Sequence, residues 1–204
     1  MVIRGAFMDI RWSNTALILA ISAFAILVRV MSARGLLFDN PYLDMFPLLA
    51  MSSLVAGYAF QSRYALAIPL SFIVVGDIVL YSLGHAPFFL LKSLWVSLFV
   101  LTGFFGITLL GWGVAKISRP HLVWFAGGSV WSVLLYDAWT NFGFFLAFYP
   151  QNLAGLTACY FNAIPFTLGH LMGMLLLTIP GFILCVISRK LLHPQGEVKT
   201  VIST

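Results

Sequence analysis

The stretch YALAIPLSFIVVGDIVLYSL, residues 64–83, is an apolar run of twenty residues with a single charged side chain, Asp77. A helix needs about 20 apolar residues to cross the hydrocarbon core of a bilayer. The stretch therefore predicts a membrane-spanning helix that carries one carboxylate. Because a charge inside a bilayer is costly, Asp77 indicates either a partner on another helix or a functional site.

The rest of the chain has the same character. Its 204 residues are 61% hydrophobic and 8% charged, whereas soluble domains contain about 25% charged residues. We predict an all-α integral membrane protein that forms a single domain, residues 1–204, with six transmembrane helices. The predicted spans are 13–31, 45–60, 64–83, 88–115, 121–148 and 164–188.

The distribution of basic residues predicts the orientation. With the N-terminus inside, eight Lys and Arg residues fall on cytoplasmic segments, and three, Arg29, Arg34 and Lys92, fall on the outer side. Lys and Arg gather in cytoplasmic loops, so both termini are predicted to be cytoplasmic, in the cell membrane of a prokaryote. The excess of base over acid follows from this bias and from contact with the lipid bilayer, and it does not indicate nucleic-acid binding.

Polar side chains from three predicted helices lie at one depth. With a rise of about 1.5 Å per residue, Asp77, Asn141 and His170 each lie roughly 9–10 Å from the outer end of their span. Asp137 precedes Asn141 by one turn, on the same helix face. Convergent polar groups at one depth are typical of a binding pocket. We therefore predict a pocket that faces outward.

The hairpin at residues 137–166 is predicted to be one wall of this pocket. Asp137 and Asn141 would bond to the polar groups of a ligand, and Tyr149 would stack on its ring. The loop from Pro150 to Asn162, which includes Cys159, would close over the ligand as a lid. Further aromatic lining is expected from a set of nearby side chains: Trp95, Trp139, Phe142 and Phe145.

Each of these residues also has a purely structural interpretation. Asp77 would bond to a neighbouring helix, for instance through Ser71 or Ser82. A single histidine on an apolar helix, such as His170, is often a packing residue, and Asn141 would hold two helices together. Cys159 would be a small apolar filler, and the aromatic residues would form an interface belt.

Several kinds of chemistry are poorly supported. The stretch GGSV, residues 127–130, with His170 is similar to the Gly-x-Ser-Gly and His pair of rhomboid proteases, but Ser129 and His170 lie near opposite ends of their spans. A nucleophile and its base must approach to about 3 Å.

The four histidines are scattered along the sequence, which excludes the clusters of metal enzymes. The sequence also contains no P-loop. We expect no enzymatic activity, no cofactor and no metal.

Three segments in order carry a resemblance to a known family. The first span contains Ala16-Leu17-Ile18-Leu19-Ala20, a small-xxx-small face that lets another helix approach closely. A short Pro-containing span, DMFPLLAMSSLVAGYAF (residues 44–60), and then residues 64–83 follow. This order resembles the substrate-binding S components of energy-coupling factor (ECF) vitamin transporters. The motifs TNFG, YP, LAGL, CY and AIPF within residues 137–166 also resemble a family of uncharacterised membrane proteins related to that fold.

The resemblance implies a function in uptake. It implies that Ala16 and Ala20 dock the transmembrane subunit of a transporter, which works with ATPase subunits, and that the ligand is a small molecule such as a vitamin or cofactor precursor. Solitary cobalamin-binding relatives place a cobalt-binding thiolate near the third and fourth spans, where this chain has His85. The predicted ligand-binding residues are Asp77, His85, Trp95, Asp137, Asn141, Tyr149, Cys159, Asn162 and His170.

A different class of function remains open. The chain would instead be a structural or accessory subunit of a membrane complex, with no ligand of its own. Its polar residues would then bond across helix interfaces, and the face of Ala16 and Ala20 would pack against another subunit. The two functions differ in what the purified protein should retain, which is a small molecule in one case and a protein in the other.

Overall fold

The architecture is all-α. A computed structural model describes residues 3–33, 45–61, 63–84, 94–117 and 121–192. These ranges contain six α-helices and one 3-10 turn, Arg63–Leu66, which leads into the third helix. The helices are α1 (Ile3–Ala33), α2 (Phe46–Phe60), α3 (Ala67–Ser82), α4 (Leu94–Ile117), α5 (Leu122–Phe148) and α6 (Leu153–Leu192).

The helices have the length and composition of a membrane protein. In the described part of the chain, three segments are long and apolar enough to cross a membrane: Arg63–Ser82, Trp95–Lys116 and Leu153–Arg189. Two further apolar helical segments, Ile18–Ser32 and Phe46–Phe60, are shorter. The predicted class of an α-helical membrane protein is therefore confirmed, while the number of crossings stays a prediction.

The short helix α2 is the centre of the fold. All of its residues except Leu48 and Phe60 are buried, as expected for a helix that is apolar all round. It packs between α4 and α6. Its backbone touches that of α4, since a Cβ on Gly57 would lie only 1.8 Å from the carbonyl oxygen of Thr108. Glycine at such a crossing is how membrane helices approach each other closely.

Helix α5 completes a four-helix unit. It packs against α4 on one side and α6 on the other, while α2 covers the faces of α4 and α6 that point inward. Helices α1 and α3 pack mainly on each other and make smaller contacts with α2, α4 and α6. The chain thus consists of a tight core of α2, α4, α5 and α6, and a flanking pair of α1 and α3.

A buried ion pair joins α1 to α3. Arg29 Nη2 donates to Asp77 Oδ1, and Arg29 Nη1 donates to the carbonyl oxygens of Phe72 at 2.6 Å and Ile73 at 2.8 Å. The two charged side chains are 0% and 1% exposed. Gly76 provides space for the guanidinium, because a Cβ there would lie 2.8 Å from Nη1.

This pair corrects the prediction for Asp77. The carboxylate does bond to another helix, but its partner is a charged side chain of α1 and not Ser71 or Ser82, whose hydroxyls donate to carbonyls of their own helix. Arg29, which the charge pattern assigned to the outer side, lies inside α1 and is buried. The single acid of residues 64–83 therefore joins α3 to α1 through its pair with Arg29.

We expect the two charges to be strongly coupled. Arg29→Met or Asp77→Leu alone should lower the free energy of unfolding by about 3–5 kcal/mol, because each leaves an unpaired charge buried. The double variant Arg29→Met/Asp77→Leu should recover most of that loss. Thermal unfolding of the purified protein in detergent measures the effect. Single variants as stable as the unmodified protein, or a double variant no better than the worse single, would contradict the coupling.

Candidate ligand-binding site

The connection between α5 and α6 is shorter than the sequence predicts. Helix α6 begins at Leu153 and continues through Pro165, so only residues 149–152 form the turn. The predicted lid from Pro150 to Asn162 is therefore wrong, since most of it forms the first turns of α6. A proline is tolerated inside a membrane helix because neighbouring groups satisfy the carbonyl that it leaves free.

Two adjacent polar residues explain the turn. Gln151 Nε2 donates to three carbonyl oxygens at the end of α5, at 3.0, 3.3 and 3.1 Å. Asn152 Oδ1 accepts the backbone N–H of Gly155 at 2.9 Å, which caps the start of α6. A Cβ on Gly155 would lie 2.1 Å from the carbonyl oxygen of Pro150. The tetrapeptide YPQN therefore closes one helix and starts the next.

A cavity of about 390 Å³ lies at the end of the bundle where α5 and α6 are joined. This volume falls within the range of about 300–1,000 Å³ that small-molecule sites occupy. One wall is apolar and comes from α2 and α4: Met45, Phe46, Leu49, Val100 and Phe104.

The opposite walls carry the polar groups. Helix α5 and the residue after it contribute Tyr136, Asp137, Thr140, Asn141, Phe144 and Tyr149. Helix α6 contributes Cys159, Asn162, Ala163, Phe166 and His170. Both sets recur every three or four residues, as one face of a helix does. The cavity is thus closed by two helix faces that meet across the α5–α6 hairpin.

The structure brings six of the nine predicted residues together. Asp137, Asn141, Tyr149, Cys159, Asn162 and His170 all line this cavity. Two others lie elsewhere: Asp77 is paired with Arg29, and Trp95 is 68% exposed at the start of α4, so its assignment to the pocket is wrong. His85 lies outside the described residues.

The aromatic lining differs from the one expected. Trp139, Phe142 and Phe145 are not among the lining residues, and the first two are more than a third exposed. The rings that do line the cavity besides Tyr149 are Phe46, Phe104, Tyr136, Phe144 and Phe166. Helical spacing from the predicted residues would have found three of them, because Tyr136 and Phe144 flank the Asp137 and Asn141 face, and Phe166 precedes His170 by one turn.

The central polar feature of the cavity is a carboxylate–imidazole pair. His170 Nδ1 lies 2.9 Å from Asp137 Oδ1 and 3.0 Å from Oδ2. Both residues are buried, at 5% exposure for Asp137 and 8% for His170. The ring of Phe46 packs on the imidazole, with 4.1 Å between ring centroids. The pair joins α5 to α6 and fixes the imidazole at the cavity wall.

The other polar side chains bond mainly within the hairpin. Asn141 Nδ2 donates to the carbonyl oxygen of Asp137 at 2.7 Å, and Cys159 Sγ donates to that of Asn141 at 3.3 Å. Asn162 Nδ2 lies 3.4 Å from the hydroxyl oxygen of Tyr149. These contacts hold the lining residues in place. No cluster of three or more metal-binding side chains is found among the described residues.

The comparisons with known proteins give a family but no function. A family model described as "Family of unknown function (DUF6580)" matches residues 10–193, which include all the helices that line the cavity. No curated protein and no solved structure matches the chain.

We expect the cap of α6 to contribute measurably to stability. Asn152→Ala removes the acceptor for the Gly155 N–H and should lower the free energy of unfolding by about 1 kcal/mol. Asn152→Asp keeps an acceptor at the same position and serves as the matched control, since both side chains are good caps. Thermal unfolding in detergent compares the two variants. If both unfold at the same temperature as the unmodified protein, the turn does not depend on this cap.

Proposed function

The chain belongs to the DUF6580 family, a family of unknown function, and we propose from its site that it is a membrane-embedded substrate-binding protein for the uptake of a small molecule. The observation that carries the proposal is the cavity of about 390 Å³, with the Asp137–His170 pair in its wall. Three of the four polar side chains that the sequence predicts near one depth, Asp137, Asn141 and His170, line this cavity, whereas Asp77 does not.

A purely structural role of the helix bundle explains the cavity less well than ligand binding does. Protein interiors are close-packed, and voids larger than a water molecule are few in each domain. A helix bundle that served only as scaffold would fill this space, and its buried carboxylate would face a permanent counter-charge, as Asp77 faces Arg29. Here an empty volume and a buried carboxylate occur at the same place. Binding of a ligand accounts for both.

We propose that six helices cross the membrane with both termini in the cytoplasm. After Arg29 is assigned to the buried ion pair, the outer side retains only Arg34 and Lys92, so the predicted charge bias becomes stronger. The cavity lies beside the α5–α6 turn, which this topology puts outside. Such a site would capture its ligand from the external medium, as uptake requires.

Labelling of intact cells tests this topology. With Cys159 and Cys185 replaced by Ala, a membrane-impermeant maleimide should label Gln151→Cys and should not label Arg63→Cys until the cells are opened. The two positions lie at opposite ends of the bundle, so each is the control for the other. The reverse pattern would place the cavity on the cytoplasmic side and would contradict a function in uptake.

We propose that α1 provides the surface for a transport partner. Ala16 and Ala20 are both exposed, and Leu19 between them is 63% exposed. A face of small exposed residues allows the close approach of another helix. The resemblance to ECF S components supports a transmembrane subunit as the partner, with ATPase subunits to drive transport. An accessory subunit without a ligand would use the same surface.

Mass spectrometry of the purified protein separates these functions. The unmodified protein should retain a small molecule, and Asp137→Asn should weaken its retention by about 10- to 100-fold, as for a lost hydrogen bond to a charged group. The melting temperature of the ligand-free variant should change little, because the Asn oxygen still accepts from His170.

The matched control is Thr178→Val. Thr178 is also buried and lies on α6, but its hydroxyl donates to its own helix and it does not line the cavity. This variant should retain the molecule as the unmodified protein does. Retention of a protein but no small molecule, with Asp137→Asn affecting stability alone, would favour the accessory subunit instead.

A further inference from the structure

We infer that the ligand is a flat ring compound that presents a nitrogen hydrogen-bond donor, cationic or neutral, to Asp137, and that the cavity discriminates against anions. The inference rests on the proposed function, because it assigns the chemical class of the molecule that the same cavity binds. Four observations carry it: the charge of the lining, the balance of donors and acceptors, the helix end at the cavity edge, and the aromatic walls.

The charge of the lining is never positive. Among the described residues that line the cavity, Asp137 is the one acid, and there is no Lys or Arg. His170 is the one side chain able to carry a positive charge, and its Nδ1 already bonds to Asp137. The pair is therefore neutral when the imidazole is protonated and negative when it is not. An anionic ligand would lose its hydration without gaining a counter-charge, which is costly.

The donors of the lining are used within the protein. Thr140, Asn141 and Cys159 each donate to a carbonyl oxygen of α5, at 2.9, 2.7 and 3.3 Å. Asn162 Nδ2 donates toward the hydroxyl of Tyr149 at 3.4 Å. Thr140 and Cys159 therefore keep no hydrogen atom for a ligand, while the amides of Asn141 and Asn162 keep one each.

The hydrogen-bond acceptors of the lining, in contrast, have positions that no described residue uses. An ionised carboxylate has about four acceptor positions, and Asp137 bonds only to His170 among the described side chains. The side-chain oxygens of Asn141 and Asn162 bond to none of the described residues. A buried carboxylate with spare acceptor positions at the wall of a cavity favours a ligand that donates. A charged donor forms the stronger bond.

The N-terminus of α2 lies at the cavity edge and, besides a protonated His170, is a feature that would attract an anion. Backbone N–H groups at a helix N-terminus bind anions. In α2 the first turn contains Pro47, which has no N–H to offer. Met45 and Phe46 present apolar side chains to the cavity at this end. The helix end therefore does little to offset the negative character of the opposite wall.

The aromatic walls indicate a flat ligand. The ring of Tyr136 lies 4.5 Å from that of Phe46 and 4.9 Å from that of Phe104, between ring centroids. Aromatic faces bind other rings and attract cations. A cavity of about 150 Å³ holds one benzene molecule, so the 390 Å³ available here has room for a compound of about two rings.

A series of three probes of equal size tests the inference. Benzamidine is cationic, benzamide is a neutral donor and benzoate is an anion, while all three share one flat ring. Binding to the purified full-length protein in detergent at pH 7 is followed by the shift in melting temperature and by ligand-observed NMR. We expect benzamidine to bind at least about tenfold more tightly than benzoate, with benzamide between them.

Two variants test whether the preference for benzamidine over benzoate comes from Asp137. Asp137→Asn should bring the three probes to within about threefold of each other, because the charged acceptor is gone and the ring contacts remain. Thr178→Val, the control outside the cavity, should keep the preference of the unmodified protein. A preference that persists in Asp137→Asn would overturn the assignment to this carboxylate.

Other outcomes separate this inference from the proposed function. Tighter binding of benzoate, or a co-purified molecule that carries a carboxylate or phosphate and no nitrogen donor, would overturn the inference while the cavity remained a ligand site. If no probe binds, the co-purified molecule decides: a nitrogen donor supports the inference, and an anion without one overturns it. If no probe binds and no molecule co-purifies, the proposed function fails and the inference fails with it.

Discussion

A carboxylate removed from water has to find its partner within the protein, and the two buried carboxylates among the described residues do so in different ways. Asp77 is neutralised by Arg29 and does not line the cavity at the α5–α6 hairpin; the guanidinium also binds two carbonyl oxygens. Asp137 is held by a single imidazole at the wall of a cavity. Both pairs join two helices, and both leave acceptor positions unused, Asp77 at its buried Oδ2. The unused positions of Asp137 lie at the wall of the cavity, and this location makes it the candidate ligand-binding residue.

The helical character and part of the site follow from simple properties of the sequence. Apolar runs of about 20 residues predict membrane helices, and the helical period puts Asp137 and Asn141 on one face. Their depth in the predicted span, compared with that of His170, was enough to place these three residues near each other. The shared helix face and the depth within a span depend on regular helix geometry alone. They can be predicted without knowing how the helices pack on each other.

The parts that the sequence did not predict depend on contacts between helices. Arg29 lies only two residues before the predicted end of its span, where a long basic side chain commonly extends to the surface, but here it turns inward to Asp77. The predicted sixth span began at residue 164 with a loop before it, whereas α6 begins at Leu153, so Asn162 and Phe166 lie on one continuous helix face that the sequence did not predict. The ring of Phe46 reaches the cavity because α2 is central, and hydropathy does not show that position.

The origin of Asp137 and His170 in a single helical hairpin has a consequence for the insertion of the protein into the membrane. A charged side chain at the centre of a helix costs about 2.5–3.5 kcal/mol to insert. Because a short capped turn joins their helices, Asp137 and His170 would, in the proposed six-span topology, bond to each other as soon as α5 and α6 are both in the bilayer, before any other helix covers them. Arg29 and Asp77 have no such advantage, since α2 separates their helices in the chain. In the proposed topology, the hairpin that carries the candidate site would therefore satisfy its own polar groups during insertion, while Arg29 of α1 would remain unpaired until α3 is inserted.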